Sequence, residues 1–146
     1  MSDRDLSEIF DLVKVEINGR RPVDGFTALH IAAENGYHDI VEALIAKKAD
    51  VNARTHHDGN TPLHLAAKRS HNSIVQLLAA NNANLNATNN DRETALELAK
   101  DRGHKRAVEI LRQAAKDLEQ ATKEAATHTP QALATYIKAL PLKPQA

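Results

Sequence analysis

The chain has no cysteine, no tryptophan, and only two phenylalanines and two tyrosines among its 146 residues. The missing cysteines exclude disulfides, thiolate metal sites and a cysteine nucleophile together. Surplus charge is missing as well, since 19 Lys and Arg stand against 19 Asp and Glu. A neutral chain has no global field to hold a phosphate backbone or an anionic membrane, so neither nucleic acid nor membrane is expected as a partner. No stretch approaches the roughly 20 apolar residues of a membrane span. The opening segment MSDRDLSEIFDLVKVEING is charged throughout and lacks the apolar core of a signal peptide. A soluble, cytoplasmic protein with one modest domain is the expectation. Catalytic signatures are equally scarce: there is no Walker-type loop, dinucleotide fingerprint, H-E-x-x-H or serine elbow. No catalysis, cofactor or metal is therefore expected.

What the chain does have is self-similarity. GNTPLHLAAKRSHNSIVQLLAANNANLNA (59–87) matches GFTALHIAAENGYHDIVEALIAKKADVNA (25–53) almost residue for residue, and RETALELAKDRGHKRAVEIL (92–111) matches again. Thr27, Thr61 and Thr94 correspond, spaced by 34 and then 33 residues, and Leu29, Leu63 and Leu96 keep that spacing. A period of this length marks units that bury their apolar faces only against one another. Thr61 suits the cap of a helix whose first residue, Pro62, lacks an N–H that would be unpaired anyway. Ala32 and Ala33, like Ala66 and Ala67, are small enough for neighbouring inner helices to approach. Ile40, Val41, Leu44 and Ile45 recur at helical spacing, as do Ile74, Val75, Leu77 and Leu78, which makes the outer helix of each pair the expected main apolar contributor. Gly36, Ser70 and Gly103 mark the turn between the helices.

With FTALHIAA, NTPLHLAA and ETALELAK in phase, residues 25–111 resemble the ankyrin repeat family. The resemblance implies an all-α solenoid: an ankyrin repeat array of helix pairs with β-hairpin or loop fingers, here with a C-terminal helical extension. It also implies a non-catalytic protein-protein interaction module that binds a partner protein through a concave face. In the third unit Glu97 replaces His30 and His64, and Lys100 replaces Ala33 and Ala67, so no further repeat is expected to pack there. At the other end Leu6, Ile9, Phe10 and Val13 form a helical stripe, and Ile17–Asn18 echo Val51–Asn52. The expected organisation is 1–24 N-terminal capping helix and first finger, 25–57 first repeat, 58–90 second repeat, 91–112 third repeat as C-terminal cap, and 113–146 helical extension and flexible tail. The last outer helix should run to about residue 126 along Ala114, Ala115, Leu118, Ala121 and Ala125, supported by Glu119–Lys123. A further helix is expected from Pro130, capped by Thr129, with Leu133, Tyr136, Ile137 and Leu140 as its stripe. It either folds back on the last repeat or projects as a docking helix. A monomer is expected, with pairing of the C-terminal helices between molecules as the alternative.

The resemblance gives His30 and His64 a structural role, their imidazoles bonding a neighbouring finger, and a structural role in the inter-helix turn to His71 and His104. His56 and His57 beside Asp58 are the one histidine cluster suggestive of a metal, but adjacent histidines on a finger tip rarely complete a coordination shell. By family analogy the partner-binding positions are Arg20 and Arg21 on the first finger; Phe26, Glu34 and Asn35 in the first unit; Arg54, His56, His57, Asn60, Lys68 and Arg69 in the second; and Asn90, Glu93, Asp101 and Arg102 in the third. One end of that surface is basic and the other mixed or acidic. An acidic segment of the partner, received by Arg54, Lys68 and Arg69, is the chemistry this suggests. Phe26 has two readings, a binding anchor or a structural residue packed on Pro22 or on the first cap. The alternative function is that of a secreted, bacterial-type effector engaging a host protein. Finally, Lys48 and Asn82 occupy the position after the outer helix that favours glycine, which predicts left-handed backbone at both.

Overall fold

The computed structural model describes residues 17–127. The expected capping helix around Leu6–Val13 and the helix from Pro130 lie outside these residues. The described residues form six helices and no strand: α1 Ala28–Asn35, α2 His38–Ala46, α3 Pro62–Lys68, α4 Asn72–Ala80, α5 Ala95–Asp101 and α6 Lys105–Thr127. The chain divides into two compact units between Ala114 and Ala115.

Within the first unit, α1 pairs with α2 and α3 with α4, while α3 packs against both α1 and α5. The small residues at the inner-helix positions permit that stacking: Ala33, Ala66, Ala67 and Ala99 are completely buried. The outer helices add Val41 and Leu44 from α2, and Ile74, Val75 and Leu78 from α4. Ile40, Ile45 and Leu77 are only partly buried against this core. The expectation that outer helices supply most of the apolar core is thus corrected for the middle unit. Pro62 to Ala67 are all buried, because α3 is the helix with neighbours on both sides.

The turns out of α2 to α5 use one device. Lys48 N–H bonds Ile45 O and Ala49 N–H bonds Leu44 O, each at 3.0 Å. This 5→2 and 6→1 pair is a Schellman motif and requires a left-handed residue after the cap. Lys48 (φ 70°), Ser70 (φ 57°), Asn82 (φ 69°) and Gly103 (φ 71°) fill that position. The expectation of left-handed backbone at Lys48 and Asn82 therefore agrees with the structure.

Helix α6 is described from Lys105 to Thr127. In the second unit Lys123 Nζ lies 3.6 Å from Glu119 Oε1, and Leu118 is exposed. Among the described residues no helix is long and apolar enough to cross a membrane.

Candidate functional site

Three segments precede the inner helices, residues 18–26, 52–60 and 86–93, and form the expected fingers. They are turns with no strand, each closed by two backbone bonds: Arg21 N–H to Phe26 O at 2.8 Å with Gly25 N–H to Arg21 O at 2.7 Å, Thr55 N–H to Asn60 O at 3.0 Å with Gly59 N–H to Thr55 O at 3.2 Å, and Asn89 N–H to Glu93 O at 2.9 Å with Arg92 N–H to Asn89 O at 3.0 Å. Neighbouring fingers are joined by side chains repeating at 34 residues. Asn18 Oδ1 accepts from Asp50 N–H and Asn52 Oδ1 from Asn84 N–H, both at 2.7 Å. Arg20 reaches Gly25 O at 3.2 Å and Arg54 O at 2.5 Å. Arg54 repeats the clip one unit on, to Gly59 O at 3.2 Å and Thr88 O at 2.9 Å. At the third position of that series stands Thr88, and no following finger exists among the described residues to be clipped.

The finger tips approach through glycine. His56 N–H bonds Asp24 O and Asn90 N–H bonds Asp58 O, each at 2.8 Å. A Cβ on Gly25 would lie 2.4 Å from the His56 ring, and one on Gly59 would lie 2.6 Å from Asn90 Oδ1. Both glycines have positive φ. The equivalent third residue, Arg92, also has positive φ (64°), without a glycine's freedom.

His30 and His64 each tie a helix start to the next unit. Thr27 Oγ1 accepts from His30 N–H at 3.3 Å, while Thr27 N–H donates to His30 Nδ1 at 3.1 Å. This is a capping box with histidine in the place usually held by Glu or Gln. Because Nδ1 accepts, the ring proton sits on Nε2, which donates to Asn60 O at 2.9 Å. His64 repeats the arrangement with Thr61 and with Glu93 O at 2.8 Å. Burial pushes both imidazole pKa values down. His71 and His104 reach back instead, donating to Glu34 O at 2.9 Å and Lys68 O at 3.0 Å. Thr94 caps α5 but lacks the reciprocal bond, and Glu97 is exposed where the histidines were buried.

The positions expected to contact a partner therefore divide into two sets. Arg20 and Arg54 hold the fingers together. Asn60 is only 7% exposed, its carbonyl bonded to His30 and its side-chain oxygen to Asn89. His57 Nε2 donates to Val23 O at 3.1 Å, and Asn90 Nδ2 to His57 O at 2.7 Å. Arg21 grips Asp24, whose carboxyl is held down to about 2 chiefly by that guanidinium. Phe26 packs on His30, ring centroids 5.5 Å apart, beneath the Arg21 guanidinium at 5.2 Å. Asn35 folds back on Ile31 O at 2.8 Å.

The second set faces outward at the ends of the inner helices. Arg69 lies 3.8 Å from Glu34. Lys68, Glu93, Asp101 and Arg102 converge with Asp58 and Asp91 on a pocket of about 440 Å³ between the second and third fingers and α5. Asp58 and Asp91 were not among the expected contacts; their signal is that each sits at a finger tip, beside the residue that joins one finger to the next. The basic trio expected to receive an acidic segment is thus not a free cationic patch. Arg54 is committed to carbonyls, Arg69 lies near Glu34, and Lys68 shares its pocket with four carboxylates.

His56, His57 and Asp58 do not gather ligand atoms. Among the described residues that property belongs to His38, Asp39 and Glu42, at the solvent-facing start of α2, with ligand atoms within 4.8 Å of one another. All three are at least 39% exposed at the side chain, with His38 Nδ1 3.9 Å from Asp39 Oδ1 and 3.8 Å from Glu42 Oε1.

A family model described as ankyrin repeats (many copies) matches residues 6–45 and 29–79. No curated protein matches the chain.

Proposed function

The chain belongs to the ankyrin repeat family, whose members are generally protein-protein interaction modules, and from that premise we propose that it binds a partner protein without catalysis, through the concave face of a short solenoid. Three repeats, 25–57, 58–90 and 91–112, form the array in this reading, with residues 1–24 and 113–146 flanking it.

One observation carries the reading: the finger backbone groups bond to the side chains and backbone of neighbouring fingers, at intervals of about 34 residues. Arg20, Arg54, His30 and His64 turn their polar atoms inward to carbonyls of the adjacent unit. Such fingers lose little freedom on binding, so the contact energy is not offset by ordering cost. What they leave outward is a row of side chains: Glu34, Lys68, Arg69, Asp101 and Arg102. The commitments of Arg54 and Arg69 weigh against an acidic segment as the partner's contact.

Partner capture from a native lysate, read by quantitative mass spectrometry, tests the proposal. A variant with Glu34, Lys68, Arg69 and Arg102 changed to Ala is compared with one altered on the outer helices at Glu42 and Gln76. A protein lost only from the first variant is the expected result. Equal capture by wild type and both variants would overturn the concave-face reading.

A further inference from the structure

The turn between the two helices of a unit seats a ring from the unit that follows. A Cβ on Gly36 would lie 2.8 Å from the His71 ring, whose Nε2 donates to Glu34 O at 2.9 Å. One unit on, Ser70 stands in the place of Gly36 and His104 in that of His71, with Nε2 donating to Lys68 O at 3.0 Å. The same place in the third unit is Gly103, again left-handed (φ 71°), with Asp101 O as the matching carbonyl. A Cβ on Gly103 would meet nothing within 4 Å, so no ring fills this third slot among the described residues.

The slot opens into a groove of about 420 Å³, with Val108 as its apolar wall. Val41 and Val75, the repeat equivalents of Val108, are completely buried, whereas Val108 is only partly so. The rim of the groove is cationic. Lys100 stands where the first two units have Ala33 and Ala67, Arg112 where they have Ile45 and Ala79, and Lys105 adds a third exposed cation. Glu109, the one carboxylate side chain lining the groove, lies 3.3 Å from Arg106. Long charged side chains in place of Ala and Ile keep another unit of this kind from stacking here, while their aliphatic stems extend the apolar wall. An acidic segment meets complementary charge at this rim, and a ring N–H finds a carbonyl placed as Glu34 O and Lys68 O are placed for His71 and His104.

We infer that this groove docks an acidic segment of a partner protein that carries a histidine, with the ring seated over Gly103 and its N–H donated to Asp101 O. The chain itself shows twice what such a slot holds, and the three cations select the residues on either side of the ring. The surface is separate from the outward row of side chains on the concave face, since Asp101 takes part through its backbone alone. It therefore does not depend on the concave-face reading. An acidic segment, expected at Arg54, Lys68 and Arg69, is thus received at Lys100, Lys105 and Arg112 instead.

The probe is a fluorescein-labelled Gly-Asp-Glu-His-Glu-Asp-Gly peptide, titrated at about pH 7.5, where its ring is neutral, and about 0.15 M salt, where charges more than about 8 Å apart are screened. Its counterparts carry Ala in place of the histidine, or Lys in place of the four acids. Lys100→Gln/Lys105→Gln/Arg112→Gln removes the rim charge, and Lys48→Gln/Arg92→Gln/Lys116→Gln removes as much charge elsewhere. Thermal unfolding of both variants is measured first, and the Ala peptide on the wild type makes the test independent of either variant's folding. The histidine peptide should bind the wild type, and binding should fall about fivefold or more when Ala replaces the ring. It should fall about tenfold or more on the rim variant and change by less than about twofold on the control. Amide shifts on binding should cluster in residues 100–112, with Gly103 among the largest. Equal binding of the histidine and Ala peptides, equal weakening in both variants, preference for the Lys peptide, or no binding would overturn the inference. A footprint on Glu34, Lys68 and Arg69 would overturn it as well, and would move the acidic segment to the concave face.

Discussion

Positive φ falls on four non-glycine residues among those described, Lys48, Ser70, Asn82 and Arg92. A side chain in left-handed backbone costs roughly 1–2 kcal/mol, less for asparagine, and glycine avoids it at some entropic cost in the unfolded chain. Lys48 is exposed and closes a Schellman turn through its N–H alone. Lys48→Gly should therefore raise stability by about 0.5–1 kcal/mol in urea unfolding; a fall would show that the lysine side chain makes a compensating contact. The glycines of the fingers give the complementary case. Gly59→Ala meets both the φ cost and Asn90 Oδ1 at 2.6 Å, so it should destabilise by about 2 kcal/mol or more. Arg92 shares that φ with no finger pressing on it, and Arg92→Gly should stabilise by up to about 1 kcal/mol. Opposite signs at equivalent positions are the measurement. Lys48 and Asn82 were legible as left-handed because the repeat aligned them. Arg92 was not, because arginine carries no turn signal and its register shows only once the fingers are superposed.

At the scale of the element, the T-x-L-H segments make helix starts into pH-dependent joints. His30 and His64 must be neutral for Nδ1 to accept from the threonine N–H while Nε2 donates to the next unit. Burial lowers both pKa values, with Arg20 near His30 and Arg54 near His64 acting in the same direction. A base whose folded pKa is depressed binds fewer protons when folded. Its stabilisation is complete above the unfolded value of about 6.5 and is lost as pH falls through that value toward the folded one. The melting temperature should accordingly drop between pH 7.5 and 5. His30→Gln/His64→Gln can retain a capping box and has no proton to gain, so its curve should be flatter. A wild-type melting temperature unchanged over that interval would sink the argument. The helices themselves were legible from threonine caps, Pro62 and apolar spacing. The distribution of burial was not, since Pro62–Ala67 read as a short segment of moderate apolarity. Its complete burial comes from neighbours on two sides, which no local pattern encodes. The contact positions fared similarly: Arg20 and Arg54 look like surface cations until the Asn-x-Arg spacing of 34 is followed to Asn86-x-Thr88, where the arginine disappears with the last finger.

At the scale of the whole molecule, the ties at a spacing of about 34 residues imply that the units stand or fall together. Each described joint combines an asparagine, an arginine clip, a histidine to the next unit and a histidine back to the previous one. Stability in such an array is a sum of unit terms and nearest-neighbour terms, so the middle unit contributes two interfaces and a terminal one contributes one. Leu63 is 1% exposed in α3, which packs against α1 and α5, whereas Leu98 is 8% exposed in α5. Leu63→Ala should cost about 3–5 kcal/mol and Leu98→Ala nearer 2, within the range for buried leucines. The more telling readout is native-state hydrogen exchange. If the middle unit couples its neighbours, Leu63→Ala will accelerate exchange of amides in α1 and α5 together with those in α3 and α4. Acceleration confined to residues 61–80 would mean that each helix pair opens alone, and the fingers would then be too loosely joined to present one pre-organised surface. The binding proposal and the folding prediction therefore depend on the same joints. A variant that uncouples the units without unfolding them, Arg54→Ala being the most direct, should weaken partner capture even though its guanidinium faces the backbone rather than the partner.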